Sequence, residues 1–313
     1  MPRSSTRGGS AAEPRGVVPR SRRISAPGHR YDREMPDFVA PDAAQLAFHT
    51  VGTGDPLVCL PGGPMKASAY LGDLGGLSSH RTLHLLDLRG TGDSPAPADA
   101  ATYRVDRQVD DVEALRAHLG LEQLDLLAHS AGAALALLYA ARHPERVQRL
   151  VLVCPTPRVV GLEVSTGDRR ATAERPRGEP WFSDAFAAFE RIWAGTQTDQ
   201  DWDAIEPFMH GQWDAARRAW VAEEAGMLNA AAAAEYYAAG AIDPATVTRA
   251  LGRLHAPALV VAGEFDVALP PSRGADYAAR FPQAELLVMP SSGHSPWLDD
   301  AARFVEGVEG FLG

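Results

Sequence analysis

The chain has 313 residues, 45% of them hydrophobic and 22% charged, enough to bury a large core in one domain with an insertion or in two small domains. Its formal net charge is −10, which argues against nucleic acid or an anionic membrane surface as partner. No stretch approaches the roughly 18 consecutive apolar residues that a membrane-spanning helix needs.

The charge is unevenly placed. Residues 1–36 carry eight Arg against Glu13, Asp32 and Glu34, so this arm is +5 and the remainder −15. Rich in Arg, Ser, Gly and Pro, with little to bury, the arm reads as disordered. Arg22-Arg23 suggests a twin-arginine export signal, but the residues after it, ISAPGHRYDREMP, contain no apolar region of the kind such signals need. A cytoplasmic protein is the expectation, with Met35 as an alternative start.

From about Asp37 short apolar runs alternate with longer helical stretches. LAFHTVG, PLVCLPG, RTLHLLDL, LDLLAHS, RLVLVCP, ALVVAGE and AELLVMP read as strands, most too continuously apolar to have a wet face. That pattern predicts an α/β fold with a buried, mostly parallel sheet and helices on both faces. Helices are expected over 105–119, 131–143 and 301–312. Residues 156–253 break the alternation with Ala- and Trp-rich helical stretches, so 37–155 and 254–313 form the expected core and 156–253 an inserted helical cap. Cys59 and Cys154 lie inside strand-like runs and read as buried small hydrophobes, not a disulfide. Lys66 is the only lysine, which codon bias explains.

The chemistry begins at Ala128-His129-Ser130-Ala131-Gly132, one substitution from the G-x-S-x-G nucleophile elbow and set between a strand and a helix. Taken alone, the pentapeptide fits a helix cap as well as a nucleophile. A serine nucleophile needs a base, and the base needs an acid to fix its tautomer. Asp266 follows the strand ALVVAG and His294 follows the strand AELLVMP, giving Ser, Asp and His at three strand ends in the order this fold uses. The loop Pro61-Gly62-Gly63-Pro64 offers one oxyanion donor, the amide of Gly63, because Pro64 has no N–H; the amide of Ala131 offers the other.

With these residues in place, the chain from about Asp37 onward resembles the α/β-hydrolase superfamily, with a lid inserted after the sixth strand. Asp87-Leu88-Arg89-Gly90-Thr91-Gly92-Asp93-Ser94 is similar to the D-x-R-G-x-G-x-S segment of its proline-iminopeptidase-like and related esterase branches, and Gly293-His294-Ser295-Pro296 resembles the family's His loop, with Asp299 where a Glu is common. The resemblance departs from proline iminopeptidases at Pro61, Met65 and the AHSAG elbow. Those enzymes hold the substrate amine with lid glutamates; Glu223 and Glu224 are the available counterparts, and a solvated helix face is the plainer account of both. Arg89 and His129 read as structural support.

Five of the six tryptophans lie in the cap. They hold the cap together, or some of them line an apolar pocket; on the second reading Trp181, Phe182, Phe208, Met209, Trp220, Glu224, Tyr236 and Trp297 are the candidate lining. The expected function is a serine hydrolase acting on an ester, lactone or thioester of a small, fairly apolar molecule, without cofactor or metal. A proline-iminopeptidase-like aminopeptidase is the main alternative, followed by acyl transfer or other chemistry on the same three residues, and then a non-catalytic scaffold.

Overall fold

The computed structural model describes residues 37–313, so the readings of the arm and of Met35 lie outside the described residues. Eight strands form one sheet: β1 (Asp37–Val39), β2 (Gln45–Gly52), β3 (Asp55–Leu60), β4 (Arg81–Leu86), β5 (Leu124–His129), β6 (Val147–Val153), β7 (Ala258–Gly263) and β8 (Ala284–Met289). The order across the sheet is β1-β2-β4-β3-β5-β6-β7-β8; the β1–β2 and β2–β4 pairings are antiparallel and the other five are parallel.

Alternation along each strand divides the core in two. Val58 and Leu60 of β3 face one apolar cluster, while Leu57 and Cys59 face the other. The first cluster is covered by α1 (Val109–His118) and α2 (Gly132–Arg142), the second by the turns over 68–79. β8, at the edge, departs from the fully apolar pattern: Leu286 and Val288 are exposed.

Between β6 and β7 the described chain is helical: α3 (Thr166–Ala173), α4 (Phe182–Ala194), α5 (Asp199–Ala204), α6 (Ala215–Ala225), α7 (Ala230–Tyr236) and α8 (Pro244–Leu251), with short 3-10 turns. This stretch does not pack as one body. Ala173, Ala185, Ala188, Phe189, Ile192, Ile205 and Phe208 form a separate apolar cluster with Val267, whereas Ala232, Tyr236, Val247 and Leu251 of α7 and α8 join the large cluster beneath α2. After β7, α9 (Pro271–Ala278), α10 (Pro296–Asp299) and α11 (Ala301–Leu312) complete the chain. Phe304, Val308 and Leu312 of α11 close the second cluster.

The sheet order decides where a site forms. The chain leaves β3 for β4 on one side, then crosses to β5 on the other, so the loops after β3 and β5 diverge and leave a crevice at their carboxyl ends. Pro61-Gly62-Gly63-Pro64 and Ser130 sit at those two ends.

Candidate active site

Ser130 has φ +51°, a left-handed conformation for a residue with a Cβ, which is the strain that a sharp strand-to-helix turn imposes. Its amide donates to the Val153 carbonyl (3.0 Å) and its carbonyl accepts from Thr156 (3.1 Å), which fixes the turn against the end of β6. Glycine is required two residues on: a Cβ at Gly132 would lie 2.5 Å from the Pro61 carbonyl oxygen. Ala128, where the motif has Gly, is fully buried and fits.

His294 lies in the loop after β8, and its Nδ1 is 3.0 Å from Oδ2 of fully buried Asp266. The other Asp266 oxygen accepts from the Ala268 amide (2.8 Å). Burial opposes the charge on each partner, but the charge and hydrogen bond of the other outweigh it. The Asp266 carboxyl is held below its ordinary range and the His294 imidazole above its usual 6.5. A carboxylate in that position leaves Nε2 of neutral His294 free to accept a proton. Ser130 and His294 border the same cavity, of about 390 Å³.

Gly62 packs against Ser130: a Cβ there would lie 2.9 Å from the Ser130 Cβ. The Gly62 N–H is taken by the hydroxyl of Tyr70 (2.7 Å). Gly63 is exposed with φ +118°, and neither its N–H nor that of Ala131 has a protein acceptor among the described residues. Ala131 precedes the first turn of α2, where N–H groups have no intrahelical partner.

A buried relay ties these parts together. The Tyr70 hydroxyl, having accepted from Gly62, contacts Nδ1 of His129 (2.7 Å), and Nε2 of His129 contacts the His294 carbonyl oxygen (2.8 Å). A carbonyl only accepts, so the His129 proton sits on Nε2 and Tyr70 donates to Nδ1. Burial holds the His129 imidazole well below its ordinary value, keeping it neutral. Arg89 is clamped between Asp111 (2.6 and 2.7 Å) and Asp42 (2.6 and 3.2 Å), away from the cavity.

The predicted pocket residues are placed differently. None of the eight borders the cavity. Trp181, Phe182, Phe208 and Met209 belong to the cap's own cluster. Trp297 is buried in the second core cluster edge-on to His129, and Tyr236 is buried in the first with its hydroxyl donating to the Ala131 carbonyl (3.2 Å). Trp220 lies against the second cluster and stands edge-on to His210. Glu224 is partly buried and ion-paired with Lys66, directly after the oxyanion loop. The physical reason is that large aromatic rings fill the interior, leaving the cavity wall to a loop. That wall is Cys154, Pro155, Thr156, Pro157, Arg158, Leu162, Val164, Arg169 and Ala268.

Several of these were missed. Lys66 faces the site and pairs with the cap, despite the codon-bias reading. Cys154 is fully buried and its thiol lies within 4.8 Å of the Asp266 and His294 ligand atoms; those two already engage each other, so the trio makes a hydrogen-bonded cluster and not a metal cage. His49, Asp87 and Asp93 are similarly close, but Asp87 is engaged by the Ser68 and Asp93 amides (2.8 and 2.9 Å) and the Ser68 hydroxyl (2.8 Å). No periodicity marks residues 155–164, although the Ser165-x-x-Asp168 capping box that starts α3 and the uniqueness of Lys66 were visible signals.

The cap also meets the site at the His294 loop. The His294 N–H donates to the Met209 carbonyl (2.7 Å), and Asp299 accepts from the amides of Gly211 (3.1 Å) and Gly293 (2.8 Å) while pairing with Arg217 (2.9 Å). A Cβ at Gly293 would lie 2.2 Å from the Met209 carbonyl oxygen, so only glycine allows this approach.

A sheet of this order with a strained serine after β5 and a His–Asp pair after β8 and β7 defines a hydrolase built on an α/β scaffold. The family profile described as alpha/beta hydrolase fold matches residues 55–301, and the chain belongs to that family. It is 30% identical over 277 residues to the 2-hydroxymuconate semialdehyde hydrolase of Pseudomonas sp. (strain CF600), covering 85% of this chain and 89% of that protein. It is 29% identical over 273 residues to the pimeloyl-[acyl-carrier protein] methyl ester esterase of Aeromonas hydrophila, covering 86% and 99%. Among solved structures, the proline iminopeptidase of Mycobacterium smegmatis superposes with a TM-score of 0.69 at 23% identity over 89% of this chain and 97% of that one. The protein is an enzyme of the α/β serine-hydrolase class.

Proposed function

We propose that this enzyme hydrolyses a carboxylic ester, lactone or thioester of a small molecule through an acyl-enzyme on Ser130. The observation that carries the reading is the Asp266–His294 hydrogen bond of 3.0 Å together with the left-handed turn that presents Ser130 to the same cavity. His294 Nε2 takes the Ser130 hydroxyl proton as Oγ attacks the carbonyl carbon. The amides of Gly63 and Ala131 donate to the oxyanion as charge moves onto oxygen. His294 returns the proton to the leaving oxygen or sulfur, the bond to carbon breaks, and water then hydrolyses the acyl-enzyme by the same route. Asp266 holds the imidazole in the tautomer that makes this possible. The esterase and hydrolase names among the relatives support this class of chemistry. The aminopeptidase alternative is disfavoured by the Lys66–Glu224 ion pair, in which the cap carboxylate that a substrate ammonium needs is already neutralised.

The test is covalent labelling by a fluorophosphonate together with hydrolysis of p-nitrophenyl acyl esters. Ser130→Ala is expected to lose both, with turnover falling on the order of 10⁶-fold as for other such serine replacements. Retention of more than a few per cent of activity refutes the assignment.

A further inference from the structure

The cavity beside Ser130 is not the apolar slot expected from the cap tryptophans, because two arginines face it. Arg169, at the start of α3, is half-buried; its Nη1 donates to the carbonyls of Val267 and Ala268 (3.1 Å to the latter), leaving Nε and Nη2 without a protein acceptor among the described residues. The Arg158 side chain is exposed, with its guanidinium carbon 4.7 Å from the Tyr237 ring centroid, and that guanidinium has neither hydrogen bond nor ion pair among the described residues. Neither guanidinium has a carboxylate within salt-bridge distance among the described residues, although the chain from residue 37 onward is acidic. The negative groups that act on Arg169 are Asp266, which is engaged by His294, and Asp168, which is engaged by Ser165. Thr156 adds a hydroxyl to the same wall, between Pro155, Pro157, Leu162 and Val164.

Half-buried Arg169, with unused donors, is a pre-positioned anion receptor whose planar fork matches a carboxylate, and exposed Arg158 supplies a second fork on the same wall. We propose that Arg158 and Arg169 form a subsite for a carboxylate carried by the substrate, on the wall of the cavity that Ser130 borders. This names the substrate class of the hydrolase reading and rests on it: a small ester or thioester bearing a second, ionised carboxyl group. Pro155, Pro157, Leu162 and Val164 line the same cavity and offer apolar contact to the carbon chain between the two groups.

The test compares the full chain on matched substrates that differ only in the charge. Mono-(4-nitrophenyl) adipate against 4-nitrophenyl hexanoate places the carboxylate on the acyl side, and 4-carboxyphenyl butyrate against phenyl butyrate places it on the leaving side. One charged substrate is expected to exceed its neutral partner at least tenfold in kcat/KM. That ratio is expected to fall at least tenfold in Arg169→Gln and in Arg158→Gln, and less in Arg169→Lys, which keeps the charge. The exposed Arg158 side chain makes no hydrogen bond among the described residues, so Arg158→Gln carries the test even if Arg169→Gln unfolds. If neutral esters are cleaved but neither charged substrate is preferred, or the ratio is unmoved in Arg158→Gln, the subsite is overturned while the hydrolase reading stands. If no ester is cleaved and Ser130 takes no fluorophosphonate, both fall together.

Discussion

Replacing Tyr70 by Phe removes one oxygen from the buried relay, and its cost follows from counting groups. The hydroxyl accepts from the Gly62 N–H and donates to His129 Nδ1, both at 2.7 Å, so Tyr70→Phe leaves two buried polar groups without partners. Each such group costs about 1–3 kcal/mol, so even the low end predicts a loss of about 2 kcal/mol. His129→Leu also orphans two groups, the Tyr70 hydroxyl proton and the His294 carbonyl oxygen. The double variant again leaves only two, the Gly62 N–H and the His294 carbonyl. Its loss should therefore match either single variant, apart from the ring contact of His129 with Trp297, which enters the His129→Leu and double variants equally and cancels. The cycle should give a coupling of about 2 kcal/mol. Urea unfolding of the four proteins measures it. Additive losses, or a Tyr70→Phe loss below about 0.5 kcal/mol, would show that the hydroxyl does not bridge the two loops.

Other outcomes follow from the same geometry. In the proposed mechanism neutral His294 is the base, so activity should rise as pH passes through its pKa. Asp266 outweighs burial and holds that pKa above 6.5, so the acidic limb of kcat/KM should lie above 6.5 and move to lower pH in Asp266→Asn, where only the smaller effect of Glu206 still opposes burial. A limb that stays in place in that variant contradicts the pairing. Asp266→Asn should also lower kcat by roughly 10⁴-fold through the wrong tautomer, as the analogous change does elsewhere, measured with a saturating ester. Gly62→Ala drives a Cβ to within 2.9 Å of the Ser130 Cβ and the His129 carbonyl oxygen; kcat should fall at least tenfold while circular dichroism stays native. Asp299→Ala strips the mostly buried Arg217 of its partner and two amides of their acceptor, and should cost about 3–5 kcal/mol in urea unfolding.

The parallel strands were legible because the stretches of strand buried on both faces are continuously apolar: Leu57–Leu60 of β3, Leu126–Ala128 of β5, Leu150–Val153 of β6 and all of β7. β1 was not, since three residues carry no period. The helix read from Val105 starts at Val109 because residues 105–108 form a turn. Ser130, Asp266 and His294 could be read because each follows a strand, so position in the sheet stood in for position in space. The cavity wall could not: the 155–169 loop is defined by which carbonyls and rings it meets after folding, and Arg169 differs from its neighbour Arg170 only in what it packs against. The tryptophans misled for a related reason. Sequence reports that a ring must be buried, not whether a core or a ligand buries it.

The joint between cap and His loop has a practical consequence for those who would re-engineer this enzyme. Because the His294 amide and Asp299 are bonded to residues 209–217, and Gly293 is bonded to Asp299 and packs against Met209, the cap is a structural support of the His294 loop. Chimeras that exchange caps among relatives to change selectivity should lose turnover unless the donor segment carries a matching 209–217 seam and the acceptor keeps Gly293 and Asp299. Libraries confined to the 155–169 wall leave that seam intact and are the safer route to new substrates.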